Sequence, residues 1–259
     1  MSSWSSRRKL TYAGIVIITV LALIVFPLFY FFYKAPTCSD MKQNSDETGV
    51  DCGGSCARLC QSSFLPPRIE WGGAKFERLA NGLYNAASYI VNPNITGAAL
   101  DVPYKISFYD DAGLLITERK GKMNLYPHRN SLAFQTAIRS DRSVPVKATF
   151  EFTKSPEWFK SSDSLDGIAV IDKKYEDNNE GSSFEVTLEN KTLLTYRDVE
   201  VSAILYDIGD NVIGFSQTKI DEIAPKGGRE IAPFTWPINR NNKVISEEIL
   251  FNIVPQNKK

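Results

Sequence analysis

A chain of 259 residues with 30 Lys and Arg against 30 Asp and Glu has no formal net charge, so it lacks the basic footprint of a nucleic-acid binder. One histidine and four cysteines leave little material for acid–base or thiol catalysis. Beyond an apolar N-terminal stretch the length suits one large domain or two ordinary ones, with two expected, and the supply of Gly, Asn, Asp and Pro favours strands and turns over helices.

Leu10 to Tyr33, LTYAGIVIITVLALIVFPLFYFFY, is uncharged and apolar. A bilayer core needs about 20 helical residues, so this run is long enough to cross one, and Pro27 is tolerated in such a helix. Arg7, Arg8 and Lys9 before it, against Lys34 after it, place residues 1–9 in the cytoplasm and everything beyond the span outside. The aromatic cluster Phe29 to Tyr33 falls at the outer interface. A cleaved signal peptide would carry a shorter apolar core and a small-x-small site, whereas this run exits through bulky rings, and Pro36-Thr37 before Cys38 is wrong for a lipoprotein. The partner of residues 10–33 is therefore membrane lipid.

All four cysteines lie between Cys38 and Cys60, spaced C-x13-C-x3-C-x3-C. Outside the cell thiols pair, and two disulfides among Cys38, Cys52, Cys56 and Cys60 give shape to a segment too short for a core. Three connectivities are open and the spacing does not choose among them. The intervals lack the C-x2-C knuckle of common zinc sites, and Gly53-Gly54 supplies the tight backbone path. Asp40, Asn44, Glu47 and Asp51, with Asp46 between them, crowd oxygens into one loop. Such side chains serve either as Asx turns and caps or as calcium ligands; the spacing departs from the EF-hand pattern, which favours turns. Calcium is the one candidate cofactor. The segment resembles a cysteine motif of predicted secreted and surface proteins, C-x-D-x3-N-x2-E-x3-D-C-G-G-x-C-x3-C, matched by Cys38, Asp40, Asn44, Glu47, Asp51, Cys52, Gly53, Gly54, Cys56 and Cys60. The resemblance covers 38–60 and implies no defined activity.

After a linker at 61–67, with Pro66-Pro67 favouring an extended spacer, short alternating runs read as strands. Asp101 to Asp110 aligns with Asp198 to Asp207 at an offset of 97, each behind a strand ending in asparagine, Asn92 or Asn190, and ahead of a turn. Tyr126-Pro127 answers Ala224-Pro225 at 98, and Val146 to Phe152 answers Ser246 to Asn252 at 100. A near-constant offset implies duplication. Each copy, 68–160 and 161–259, has the length of an immunoglobulin-like sandwich of some seven strands. Val199, Val201, Ala203 and Leu205 should face the core, with Glu200, Ser202 and Ile204 on the other face. Trp71, Trp158 and Trp236 should close sandwich ends, and Lys173 to Gly181 reads as a solvated hairpin loop. The blocks Ile106 to Gly113 and Ala203 to Asp210 resemble the FxLYD domain of bacterial and archaeal surface proteins, with Ile106 and Ala203 at the leading phenylalanine and Phe108 at the first leucine. That resemblance implies a small envelope β-sandwich without catalysis, in which Tyr109-Asp110 and Tyr206-Asp207 are structural.

The sequons at Asn94 and Asn190 occupy equivalent loops where Asn and Thr are ordinary turn residues, and His128 reads as an exposed loop residue with no partner nucleophile. The expected fold is mainly β: one N-terminal transmembrane α-helix, a disulfide-stapled module at 34–60, then two tandem immunoglobulin-like antiparallel sandwiches. The expected function is noncatalytic display at the cell surface for adhesion, envelope assembly, or binding of a protein or other ligand, with no catalytic residues. The alternative is an accessory subunit of a membrane-embedded secretion or pilus-type machine, packing through Thr11, Ala13, Gly14 and Thr19.

Overall fold

The computed structural model describes residues 4–32, 37–58, 60–140, 143–161, 167–178, 181–236 and 244–253. Tyr33, the start of the cysteine module at 34–36, Leu59 and the Asn179-Glu180 tip therefore lie outside the described residues. The chain divides into two compact units, Met1–Cys56 and Ala57–Lys259.

In the first unit, α1 runs from Trp4 to Phe32 with Pro27 inside it. The stretch Arg8–Leu28 is long and apolar enough to cross a membrane, and none of it is buried by protein. Thr19 satisfies its own hydroxyl by donating to the Ile15 carbonyl one turn back, at 2.9 Å. Among the described residues of this unit the loop that follows has no strand ladder, only the bridge Gly49↔Cys52. Cys38 bonds to Cys56, which selects one of the three connectivities, and Cys52 and Cys60 are oxidised as well.

The second unit is antiparallel β throughout, with strands β1 (Arg68–Ile69), β2 (Lys75–Ala80), β3 (Leu83–Val91), β4 (Gly97–Tyr109), β5 (Leu115–Leu125), β6 (Asn130–Arg139), β7 (Lys147–Phe152), β8 (Phe159–Lys160), β9 (Ile168–Asn178), β10 (Gly181–Asn190), β11 (Tyr196–Tyr206), β12 (Val212–Ile223), β13 (Gly228–Trp236) and β14 (Ser246–Ile253). In the first half β3 is flanked by β2 and β6, and β4 by β5 and β7. In the second half β10 is flanked by β9 and β13, and β11 by β12 and β14. The registers repeat too. Val102 faces Met123 and Val199 faces Ile220, and each ladder slips at the same place, after Phe108 and after Leu205. The left-handed Asp101 (φ 51°) and Asp198 (φ 52°) recur, and their carboxylates meet Lys122 and Lys219 at 3.8 and 2.6 Å. One expectation is corrected. Tyr109 pairs with Lys147 and Tyr206 with Ser246, so the closing strands correspond at an offset one residue shorter than the 100 read from sequence. Because side chains alternate, a slip of one residue would have exchanged core and surface along the whole strand.

Each half has its own core, as the alternation demands. Val102, Tyr104, Ile106 and Phe108 are buried in the first, and Val199, Val201, Ala203 and Leu205 in the second. The other face of β11 is not solvated: Ile204 is fully buried and Ser202 nearly so. It packs on the outer face of β3 and β6, where Ala87, Tyr89, Leu132, Ile204 and Phe215 form a third cluster with Trp71, Phe134, Tyr206 and Leu250 around it. Trp71 therefore fills this seam, 5.5 Å from Tyr89 and 6.4 Å from Phe215 between ring centres, rather than closing a sandwich end. Trp158 and Trp236 do sit in the first and second cores.

Two other segments differ from their sequence reading. Lys173 to Asn178 is strand, not loop, and pairs with β10 up to Asn178↔Gly181. The expected spacer holds a 3-10 turn at Gln61–Ser63 and is fastened down: Phe64 stacks on Trp158 at 5.0 Å, and Leu65 exchanges two hydrogen bonds with the Asn94 side chain.

Candidate functional site

Two places carry chemistry, the cysteine loop and a cleft on the β unit. In the loop, the backbone turns sharply at Met41, Ser45 and Asp51, all left-handed, and at Gly53 and Gly54. A Cβ on Gly53 would lie 1.8 Å from the Thr48 hydroxyl and one on Gly54 2.2 Å from the Asp46 carbonyl, so both positions demand glycine. The four expected calcium ligands each hold the loop to itself. Both Asp51 oxygens accept from the Met41 N–H at 3.0 Å, and Asp40 accepts from the Lys42 N–H and the Asn44 amide. Glu47 accepts from the Asn44 N–H at 3.1 Å. The Asn44 amide hydrogen bond, ahead of the backbone N–H groups, holds the Asp40 carboxyl below the usual range. Glu47 is buried beside the Cys38–Cys56 bond, with its Oε1 3.3 Å from Cys56 Sγ. The structure thus brings the four together in one loop and uses the three carboxylates as caps and the Asn44 amide as a donor, with Asn44 Oδ1 buried and without a partner among the described residues.

The asparagines of the two sequons have internal partners. Asn190 is fully buried, its amide donates to the Leu194 and Ile223 carbonyls at 2.7 and 3.2 Å, and its Oδ1 accepts from the Thr192 N–H. Asn94 donates to Leu65 O and to Asn92 Oδ1. The counterpart of Asn190 in the first half is Asn92, buried and donating to Gly97 and Tyr126 carbonyls. His128 is exposed in a left-handed turn and gives its backbone N–H to the Asn94 carbonyl.

The cleft, of about 410 Å³, opens beside the seam between β2, the start of β7 and β12. Sequence reasoning missed it, because its walls are far apart in the chain; the available signal was β3, LYNAASYIV, apolar on both faces apart from Asn85 and Ser88, which implies burial on both faces. Glu77 reaches across from β2, its carboxylate accepting from the backbone N–H of Phe215 on β12 and from the Asn85 amide at 3.2 Å. Burial, only partly offset by these bonds, pushes its pKa up to about 7. A carboxyl titrating near neutrality in a cleft is the sort of group that marks a functional site. Lys75 and Lys147 also line the cleft, and neither is ion-paired among the described residues. Elsewhere Lys105, Lys173, Lys174 and Lys219 all meet carboxylates. The lining offers two cations, one weakly acidic carboxyl and apolar walls, a set suited to binding.

At the far side of the seam, Glu248 accepts from Tyr89 across the junction at 2.6 Å and from Tyr206 at 3.0 Å. Burial first, and the carboxylate second, raises both phenols above their ordinary range. These bonds position the two halves.

No protein-family model matches the chain, and no curated protein matches it. Among solved structures, red sea bream transglutaminase is similar over 73% of this chain and 29% of its own, at 9% identity and a TM-score of 0.25. A protein described as a β-galactosidase from Bacteroides fragilis is similar over 72% of this chain and 41% of its own, at 11% identity and a TM-score of 0.20. The chain spans well under half the length of either, and at these scores neither likeness carries an assignment.

Proposed function

We propose that this chain is a noncatalytic, single-pass membrane protein that displays two tandem immunoglobulin-like sandwiches on the outer face of the cell membrane as a binding surface. The observation that carries the orientation is the oxidised cysteine loop behind an apolar helix. Disulfides persist in oxidising compartments, so the chain beyond the helix belongs outside, in agreement with Arg7, Arg8 and Lys9 on the other flank. The shared strand order and register of the two halves support descent of both from one domain, and the caps made by Asp110 on Leu114 and Asp207 on Gly209 and Asn211 fit the structural role that the FxLYD resemblance implies. Residues 1–9, 10–33, 34–60, 61–67, 68–160 and 161–259 then act as tail, anchor, collar, connector and two sandwiches.

Protease added to intact cells tests the orientation. The expected result is release of fragments from beyond residue 61, with the N-terminus protected; a protected C-terminus ends the reading.

A further inference from the structure

We infer that the cleft beside β7 accepts an extended peptide of alternating apolar and acidic residues as an added strand. This rests on the noncatalytic binding role proposed above, and not on which side of the membrane that binding occurs.

The argument starts from the sheet edges. A seven-stranded sandwich ends with a strand lying against the one before it, giving a C-F-G sheet. In the first half that place is open: β7 pairs with β4 on one side, and on the other the described residues supply only the bridge Ala74↔Ala148. Among the described residues β2 pairs only with β3, and β12 only with β11, so three strands turn an edge without a ladder toward one cleft. Free edges of this kind take an extra strand through main-chain hydrogen bonds, and the side chains alongside set the preference. One edge group is already capped, since the outward N–H of Phe215 goes to Glu77. An acidic side chain thus satisfies this edge from within the protein.

The walls specify the occupant. Phe76 and Val146 line the cleft, and Val146 is exposed despite its size. Lys75 precedes Phe76 and Lys147 follows Val146, so by strand alternation each apolar contact has a cation on the opposite face. An incoming strand with period-two alternation places apolar side chains on one and carboxylates on the other. A basic strand would meet Lys75 and Lys147, neither of which is ion-paired among the described residues.

The full chain in detergent micelles provides the test, with three fluorescein-labelled octapeptides read by anisotropy: alternating Val and Glu, alternating Val and Lys, and the Val–Glu peptide N-methylated at every second residue. The Val–Glu peptide should bind, at least tenfold tighter than Val–Lys, and the N-methylated peptide should lose binding because it cannot complete a ladder. The double variant K75E/K147E changes exposed or half-exposed groups, so its melting temperature should stay within a few degrees of wild type while Val–Glu binding falls at least tenfold and Val–Lys binding rises. Equal binding of the acidic and basic peptides, full binding of the N-methylated one, or no binding of Val–Glu at millimolar concentration would each overturn the inference. Protease shaving reports topology independently, so a failure here is distinguishable from a failure of the membrane reading.

Discussion

At the scale of single residues, buried polar groups decide more than exposed ones. Glu77 is the clearest case. Its folded pKa of about 7 exceeds the 4.5 it has when unfolded, so the folded protein binds that proton more tightly. The resulting stabilisation is complete below about pH 4.5, fades as pH rises, and is gone above about pH 7, where a charge sits in the cleft. The shift corresponds to roughly 3 kcal/mol. Lys75 and Lys147 line the same cleft. Glu77→Gln keeps an acceptor for the Phe215 N–H and removes the titration, so the difference in unfolding free energy between variant and wild type should grow with pH between about 4.5 and 7. Urea unfolding at several pH values measures this, and parallel curves would refute it. Asn190 makes the complementary case. Its Ala variant removes the Asn190 partner of the Ile223 carbonyl and of the Thr192 N–H, while the Leu194 carbonyl keeps the Thr192 hydroxyl, and since each orphaned buried group costs about 1–3 kcal/mol, a loss of roughly 3 kcal/mol is expected in the same assay. A loss below about 1 kcal/mol would mean that water reaches these groups.

At the scale of elements, much of the fold could be read from period and punctuation. The alternation Val199, Val201, Ala203, Leu205 named the second core, and the offset of 97 between Asp101 and Asp198 proved to carry a shared bulge, a shared left-handed aspartate and a shared lysine partner. Spacing could not choose a disulfide pattern, because connectivity depends on how Gly53 and Gly54 fold the loop under Thr48 and Asp46. The closing strands were misaligned by one residue because the loops before them differ in length and apolar alternation alone has no absolute register. The polar run from Lys173 looked like a loop because its side chains are charged and exposed; its backbone is nonetheless satisfied by β10. Neither the seam nor the cleft was legible. Both arise where strands distant in sequence meet, and the hint in β3, buried on both faces from Tyr84 to Ile90, reads locally as no more than a hydrophobic strand.

At the scale of the whole β unit, the two halves differ in what stands where they touch and at the equivalent places where they do not. At the seam stand Ile204, Phe215 and Leu250; the registers put Ser107, Glu118 and Glu151 at the equivalent places on the first half, with Lys105 bridging the two glutamates at 3.1 and 2.6 Å. Opposite them, Ala87, Tyr89 and Val91 on β3 correspond to Glu185, Thr187 and Glu189 on β10, where Glu189 is held by Arg229 at 2.8 Å. The first half thus carries charges where the second has the apolar seam residues, and β10 carries two glutamates where β3 has Ala87 and Val91. The same contrast predicts how the unit unfolds. Phe215→Ala removes a buried ring from between the halves and should cost about 3–5 kcal/mol, whereas Glu118→Ala at the equivalent place loses only a solvent-screened pair with Lys105 and should change stability far less. Because the seam couples the halves, wild type should melt in one calorimetric transition, and Phe215→Ala should split it into two as each sandwich keeps its own core. A wild-type trace already in two independent steps, with the variant shifting one of them alone, would show that the halves fold separately and that the seam contributes nothing to their coupling.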